Sequence, residues 1–129
     1  MNRFLLDSDI IIWHLRGWNK ITEMLRDLHR FGLPCCSAIS VLEIQVGVKR
    51  DEEERTDQFF RALKIIDVSG EIAGRAAQLI RRYKTKGLTI DIPDAIVAGT
   101  CILHDLTLVT CNKRHYPFEG LKFHPTPNL

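Results

Sequence analysis

These 129 residues contain no Cys-x-x-Cys pair, no uninterrupted apolar run long enough to cross a bilayer, and no large charge imbalance. Each absence removes a class of protein. The four cysteines, Cys35, Cys36, Cys101 and Cys111, lack the spacing of zinc or redox motifs. Neighbours such as Cys35 and Cys36 point to opposite faces of a strand, so free, buried thiols are expected; a zinc site shared with a histidine is the disfavoured alternative. The apolar stretch from Phe4 to Trp13 is broken by Asp7 and Asp9, and no cleavage pattern follows it. Neither a secretory leader nor a membrane anchor is therefore expected, and the cytoplasm is the default. Eighteen basic and sixteen acidic residues leave a net charge of +2, so a polyanionic partner would have to be met by local clusters. Low-complexity segments, internal repeats and interdomain linkers are also missing. With 45% apolar and 26% charged residues, the chain reads as one folded domain over residues 1–129 with a single core.

What is present is an alternation of short apolar runs and helical patterns. Phe4-Leu5-Leu6 reads as a strand buried on both faces, with Ser8 offering a cap for a helix to Leu15. A helix from Lys20 to His29, a short strand at Cys35-Cys36 and a helix from Ala38 to Val48 come next. Asp51 to Leu63 reads as amphipathic helix and Lys64 to Val68 as strand. Ser69 caps a helix reaching Tyr83, Pro93 suits the first turn of a helix reaching His104, and Leu106 to Thr110 is another buried strand. A last short strand is expected at Leu121 to Phe123. This alternation predicts a three-layer α/β/α sandwich around a mainly parallel central sheet.

Three acids stand out. Asp7 lies one residue past the first strand's apolar run, where open parallel sheets bind their ligands; the competing role is helix capping, which Ser8 or Asp9 would fill equally well. Glu43 follows Ile39 by four residues and precedes Val46 by three, a spacing that places it beside two aliphatic residues expected to face the core. It is either a functional acid or a structural one, paired in an internal salt bridge or placed at the core's rim by a tilt of the helix. Asp94 falls in the first turn after Pro93 and aligns with Val97, Ala98 and Cys101, with Asp91 as the expected cap. If the three converge, their repulsion calls for a divalent cation, and an all-oxygen donor set suits Mg²⁺ or Mn²⁺.

The segments Leu5-Leu6-Asp7-Ser8, Ser40-Val41-Leu42-Glu43, Pro93-Asp94-Ala95-Ile96-Val97-Ala98 and Leu108-Val109-Thr110-Cys111-Asn112-Lys113-Arg114-His115-Tyr116 resemble, in order and spacing, the signature blocks of PIN-domain nucleases. The likeness spans nearly the whole chain, and the compact length resembles VapC-type toxins of toxin–antitoxin pairs. It implies a PIN-like fold and endonucleolytic hydrolysis of RNA with Mg²⁺ or Mn²⁺. It also implies inhibition by a cognate antitoxin and assembly as a homodimer or toxin–antitoxin hetero-oligomer. Carried over, Asp7, Glu43 and Asp94 match the family's metal-binding acids, and Ser8 and Thr110 match hydroxyl residues near them. Asn112 stands where some members carry a fourth acid; its amide keeps the capacity to orient water or phosphate as a catalytic group. Lys113, Arg114 and His115 follow the last major strand and are candidate RNA contacts.

Two other classes compete. Asp7-Ser8-Asp9 also resembles the opening motif of haloacid-dehalogenase-like phosphatases, with Asp7 as nucleophile, a reading that leaves Glu43 without a role. A non-catalytic receiver-like module would use Asp67 as phosphoacceptor but lacks the expected acidic pair after the first strand. A nuclease fold kept only for protein binding is the third possibility, consistent with Asn112. The aromatics Trp13, Trp18, Phe59 and Phe60 are expected in the core; any that are exposed would serve an antitoxin helix or a second copy.

Overall fold

The computed structural model describes residues 3–128. Among them, four strands form one sheet: β1 (Phe4–Leu6), β2 (Cys35–Ser37), β3 (Lys64–Ile66) and β4 (Thr107–Val109). Six helices surround it: α1 (Ser8–Leu15), α2 (Asn19–His29), α3 (Ala38–Val46), α4 (Glu53–Arg61), α5 (Gly70–Lys84) and α6 (Ile92–His104). The strand order is β3-β2-β1-β4, with every pairing parallel. This is the three-layer α/β arrangement that the alternating pattern predicts.

The strands are short and their residues divide between two cores. Leu5 and Leu108 face a core built with Ala76, Leu79, Val97 and Ala98 of α5 and α6. Phe4, Leu6, Cys36 and Val109 face the other, with Ile10, Ile11, Leu25, Leu28 and Ile44. A strand covered by helices on both faces must be apolar on both, which is why Phe4-Leu5-Leu6 is continuous rather than alternating. Gly99 lets α5 and α6 approach closely: a Cβ there would stand 3.4 Å from the Ala76 nitrogen and 3.4 Å from the Ile72 oxygen.

Several local expectations shift. The α1 cap is Asp7, not Ser8: Asp7 holds an extended backbone and its carboxylate accepts from the Ser8 N–H. The helix expected from Asp51 to Leu63 begins with a 3₁₀ turn, Arg50–Glu52, and ends at Arg61. The strand expected over Leu121 to Phe123 is reduced to a bridge between Leu108 and Phe123; Pro125 and Pro127 have no N–H to extend a ladder. Glu43 and Val46 do not face the core. Helix α3 buries Ser40 and Ile44 instead, and Val46 is 80% exposed.

Cys35, Cys36 and Cys101 are buried free thiols and Cys111 is a half-buried one, as expected. Trp13 and Trp18 meet edge to face at 5.3 Å and are half-buried against the second core, which also holds Phe60. Among the described residues, no helix is long and apolar enough to cross a membrane.

Candidate active site

The chain passes from β1 to β2 and β3 on one side, then returns to place β4 on the other side of β1. Such a reversal opens a crevice at the carboxyl ends of the adjacent strands β1 and β4. Asp7 leaves β1 there and Thr110 leaves β4, their side chains joined although 103 residues apart in sequence. A cleft of about 700 Å³ occupies this position, lined by Asp7, Ser8, Asp9, Glu43, Asp91, Asp94, Asn112 and His115 among others.

Asp7 is the most tightly held acid, with 8% of its surface exposed. Its Oδ1 accepts from the Ser8 N–H at 2.8 Å. Its Oδ2 accepts from the Thr110 hydroxyl at 2.9 Å and from the Tyr116 hydroxyl at 2.9 Å. Thr110 is fully buried and also accepts the Asn112 N–H at 3.0 Å, tying the loop after β4 to the acid after β1. A buried carboxylate persists only with such donors around it.

Asp94 sits in the first turn of α6, where the helix dipole favours negative charge. Its Oδ1 meets the Tyr116 hydroxyl at 3.3 Å, and its Oδ2 lies 3.7 Å from Nδ1 of His115. Burial and the nearby Asp7 charge raise its proton affinity above the ordinary carboxylate range. Asp91 takes the α6 cap position by backbone geometry, without a side-chain capping bond. Glu43 reaches the cleft from the exposed side of α3, where its Oε1 accepts from the Ser8 hydroxyl at 2.8 Å.

Asp9 is a cleft acid that helical spacing concealed. Two positions apart on a helix, Asp7 and Asp9 would diverge by about 200°. Asp7, however, lies outside the helix with extended φ and ψ, so both carboxylates meet the end of β4. The Asp9 carboxylate accepts from the Cys111 N–H at 2.8 Å and from the Ile10 N–H at 2.8 Å. Burial first, then the Asp7 charge, push its carboxyl up to about 6. Tyr116, only 2% exposed, is a second contributor the spacing did not single out.

Asp7, Glu43, Asp94 and Asn112 thus line one cleft, with Ser8 and Thr110 bonded to its acids. Among the described residues, no three histidine, cysteine, aspartate or glutamate side chains stand close enough to form a preassembled metal centre. The donor chemistry nevertheless fits a hard divalent cation. Asp7 and Asp94 converge on one hydroxyl, and the other acids lining the cleft, Asp9, Glu43 and Asp91, add oxygen donors. A cation such as Mg²⁺ takes one or two carboxylates and keeps its remaining positions for water and phosphate. His115 borders the cleft and Arg114 an adjoining hollow that shares Asp91, Asp94 and His115 with it. Lys113 lies further along, its Nζ 5.8 Å from the Phe123 ring centre.

Comparison with known proteins agrees with this geometry. Residues 4–121 match the family model described as PIN domain. Ribonuclease VapC10 of Mycobacterium tuberculosis is 32% identical over 119 residues, covering 92% of this chain and 90% of that protein. A toxin-antitoxin complex from Klebsiella pneumoniae contains a chain with TM-score 0.77 and 30% identity, covering 90% of this chain and 92% of that one. The VapBC2 structure from Rickettsia felis, bound to a DNA fragment from its promoter, aligns with TM-score 0.85 and 25% identity over 96% of this chain and 98% of that one. The four sequence blocks, the crevice that gathers them and these relatives converge: the chain belongs to the PIN domain family.

Proposed function

We propose that this protein is one nuclease domain over residues 1–129 that hydrolyses RNA phosphodiesters endonucleolytically with Mg²⁺ or Mn²⁺, as the toxin of a toxin–antitoxin pair acting in the cytoplasm. The observation that carries this reading is the meeting of Asp7, Asp9, Glu43 and Asp94 in one cleft at the β1/β4 crevice of a PIN-domain chain. Five carboxylates, counting Asp91, line this hollow and repel each other unless positive charge enters it. Asp7, Asp94 and Glu43 are the residues that would hold the cation. When bound, the cation supplies Lewis-acid polarisation of a phosphodiester oxygen and acidification of water.

The chain's own groups do the rest. Glu43, held at Oε1 by Ser8, keeps its second oxygen for orienting the attacking water. Asn112 offers an amide to a phosphate oxygen, His115 and Arg114 offer donors to the RNA backbone along the adjoining hollow, and Lys113 does so in the hollow on the far side of Asn112. Asp7 is a poor nucleophile here, because three hydrogen bonds already hold its two oxygens; direct attack by water fits better than an aspartyl-phosphate.

The antitoxin assignment draws on the complexes named above and on the exposed apolar side chains Leu42 and Val46 of α3, which flank Glu43 in sequence. A homodimer or a toxin–antitoxin hetero-oligomer is the corresponding assembly. Asp7→Asn and Asp94→Asn should reduce Mg²⁺-dependent cleavage of single-stranded RNA to background while circular dichroism shows an unchanged fold, and EDTA should do the same to the wild type. Full cleavage by either purified variant refutes the site assignment.

A further inference from the structure

We propose that Tyr116 is a positioning residue of this site: its hydroxyl couples Asp7 and Asp94 into one unit and thereby presents their remaining oxygens to a shared divalent cation. The inference rests on the metal-dependent reading above and adds a residue to it. Three segments distant in sequence meet at this oxygen. Asp7 follows β1, Asp94 opens α6, and Tyr116 lies beyond β4. The hydroxyl contacts Asp7 Oδ2 at 2.9 Å and Asp94 Oδ1 at 3.3 Å.

The ring that carries it is fixed by packing. Tyr116 meets Phe118 edge to face at 6.4 Å, and Phe118 meets Tyr83 of α5 at 5.0 Å. The Tyr83 hydroxyl accepts the Glu119 N–H at 2.9 Å, which anchors the same loop to α5. A phenylalanine would fill the volume of Tyr116 equally well, so packing alone gives no reason for the hydroxyl. Its purpose lies with its partners, and a hydrogen bond to a carboxylate is among the strongest a neutral donor makes. Each acid keeps an oxygen that Tyr116 does not hold: Asp7 Oδ1, which has the Ser8 N–H, and Asp94 Oδ2, which has the 3.7 Å approach of His115. Outer groups that orient ligand carboxylates in this way set metal affinity without touching the metal.

The test is calorimetric titration of Mn²⁺ into RNA-free protein, comparing wild type, Tyr116→Phe and Phe118→Leu. Tyr116→Phe should weaken Mn²⁺ binding about 10- to 100-fold, while Phe118→Leu, which loosens the ring packing but keeps the hydroxyl, should weaken it by clearly less. Wild-type affinity in Tyr116→Phe overturns the proposal, as does equal weakening in Phe118→Leu, which would assign the effect to packing. A wild type that takes up no Mn²⁺ sinks the metal-dependent reading itself, a result distinct from equal affinities. Should Tyr116→Phe not fold, fluorotyrosine labelling of the wild type decides, because Tyr83 and Tyr116 are its two tyrosines. Saturating Mg²⁺ should then shift the Tyr116 fluorine resonance, assigned with Tyr83→Phe, and an unmoved Tyr116 resonance overturns the proposal.

Discussion

Without divalent cations, Asp9 should make the folded protein less stable as the pH rises from 4 to 7. In the unfolded chain its carboxyl loses its proton near 3.8, whereas in the fold burial and Asp7 hold the proton up to about 6. Between those values the folded state binds more protons than the unfolded one, so stability falls with rising pH. The contribution is fully present below 3.8 and gone above about 6. At 1.36 kcal/mol per pH unit the interval corresponds to roughly 3 kcal/mol, reduced to about 1.5–3 kcal/mol by partial solvent screening. His14 and His124 act oppositely, since burial lowers both and costs stability as they charge in acid. The Asp9 contribution is therefore read as a difference. Urea unfolding of wild type and Asp9→Asn in EDTA, stepped from pH 4 to 7, should show the wild type losing about 1.5–3 kcal/mol relative to the variant. Asparagine forfeits one acceptor at every pH, which offsets the curve without tilting it. A difference that stays flat across the range refutes the reasoning, and so does one that grows in the other direction.

Two further outcomes follow from the site. Thr110→Val removes a fully buried hydroxyl that donates to Asp7 and accepts from the Asn112 N–H; it should cost about 2–4 kcal/mol in urea unfolding, against about 1 kcal/mol for Thr110→Ser, which retains the hydroxyl. Equal stabilities for the two variants would mean the bonds to Asp7 and Asn112 carry no weight. Arg114→Ala should weaken RNA binding similarly for all sequences and lower the salt-dependence slope by about 1, measured by filter binding across a salt series. An unchanged slope removes Arg114 from the RNA contact surface.

The parts of the fold that were legible in the sequence are those where burial dictates composition. Phe4-Leu5-Leu6 and the Leu108-Val109 run lie between two helical layers, and the Ser69 cap bonds the Ile72 N–H as its position suggests. Helix α3 was ambiguous for a physical reason: Ile39, Val41, Leu42, Ile44 and Val46 surround its axis, so apolar spacing cannot choose a face. The spacing placed Glu43 with the core, yet the acid reaches the cleft from the exposed side through Ser8. Asp9 was hidden because periodicity presumes a helix that has already begun, and Asp7 holds the extended turn preceding it. Tyr116 lies in a loop, where no period operates and only the folded packing against Phe118 reveals its reach.

The pairing of β1 with β4 has a consequence for biosynthesis. Asp7 is synthesised 103 residues ahead of Thr110 and 109 ahead of Tyr116, the hydroxyl partners of its carboxylate. A nascent or truncated polypeptide stopping before β4 therefore has the lead carboxylate without the donors that hold it. The proposed cation site is assembled only once β4 has docked against β1.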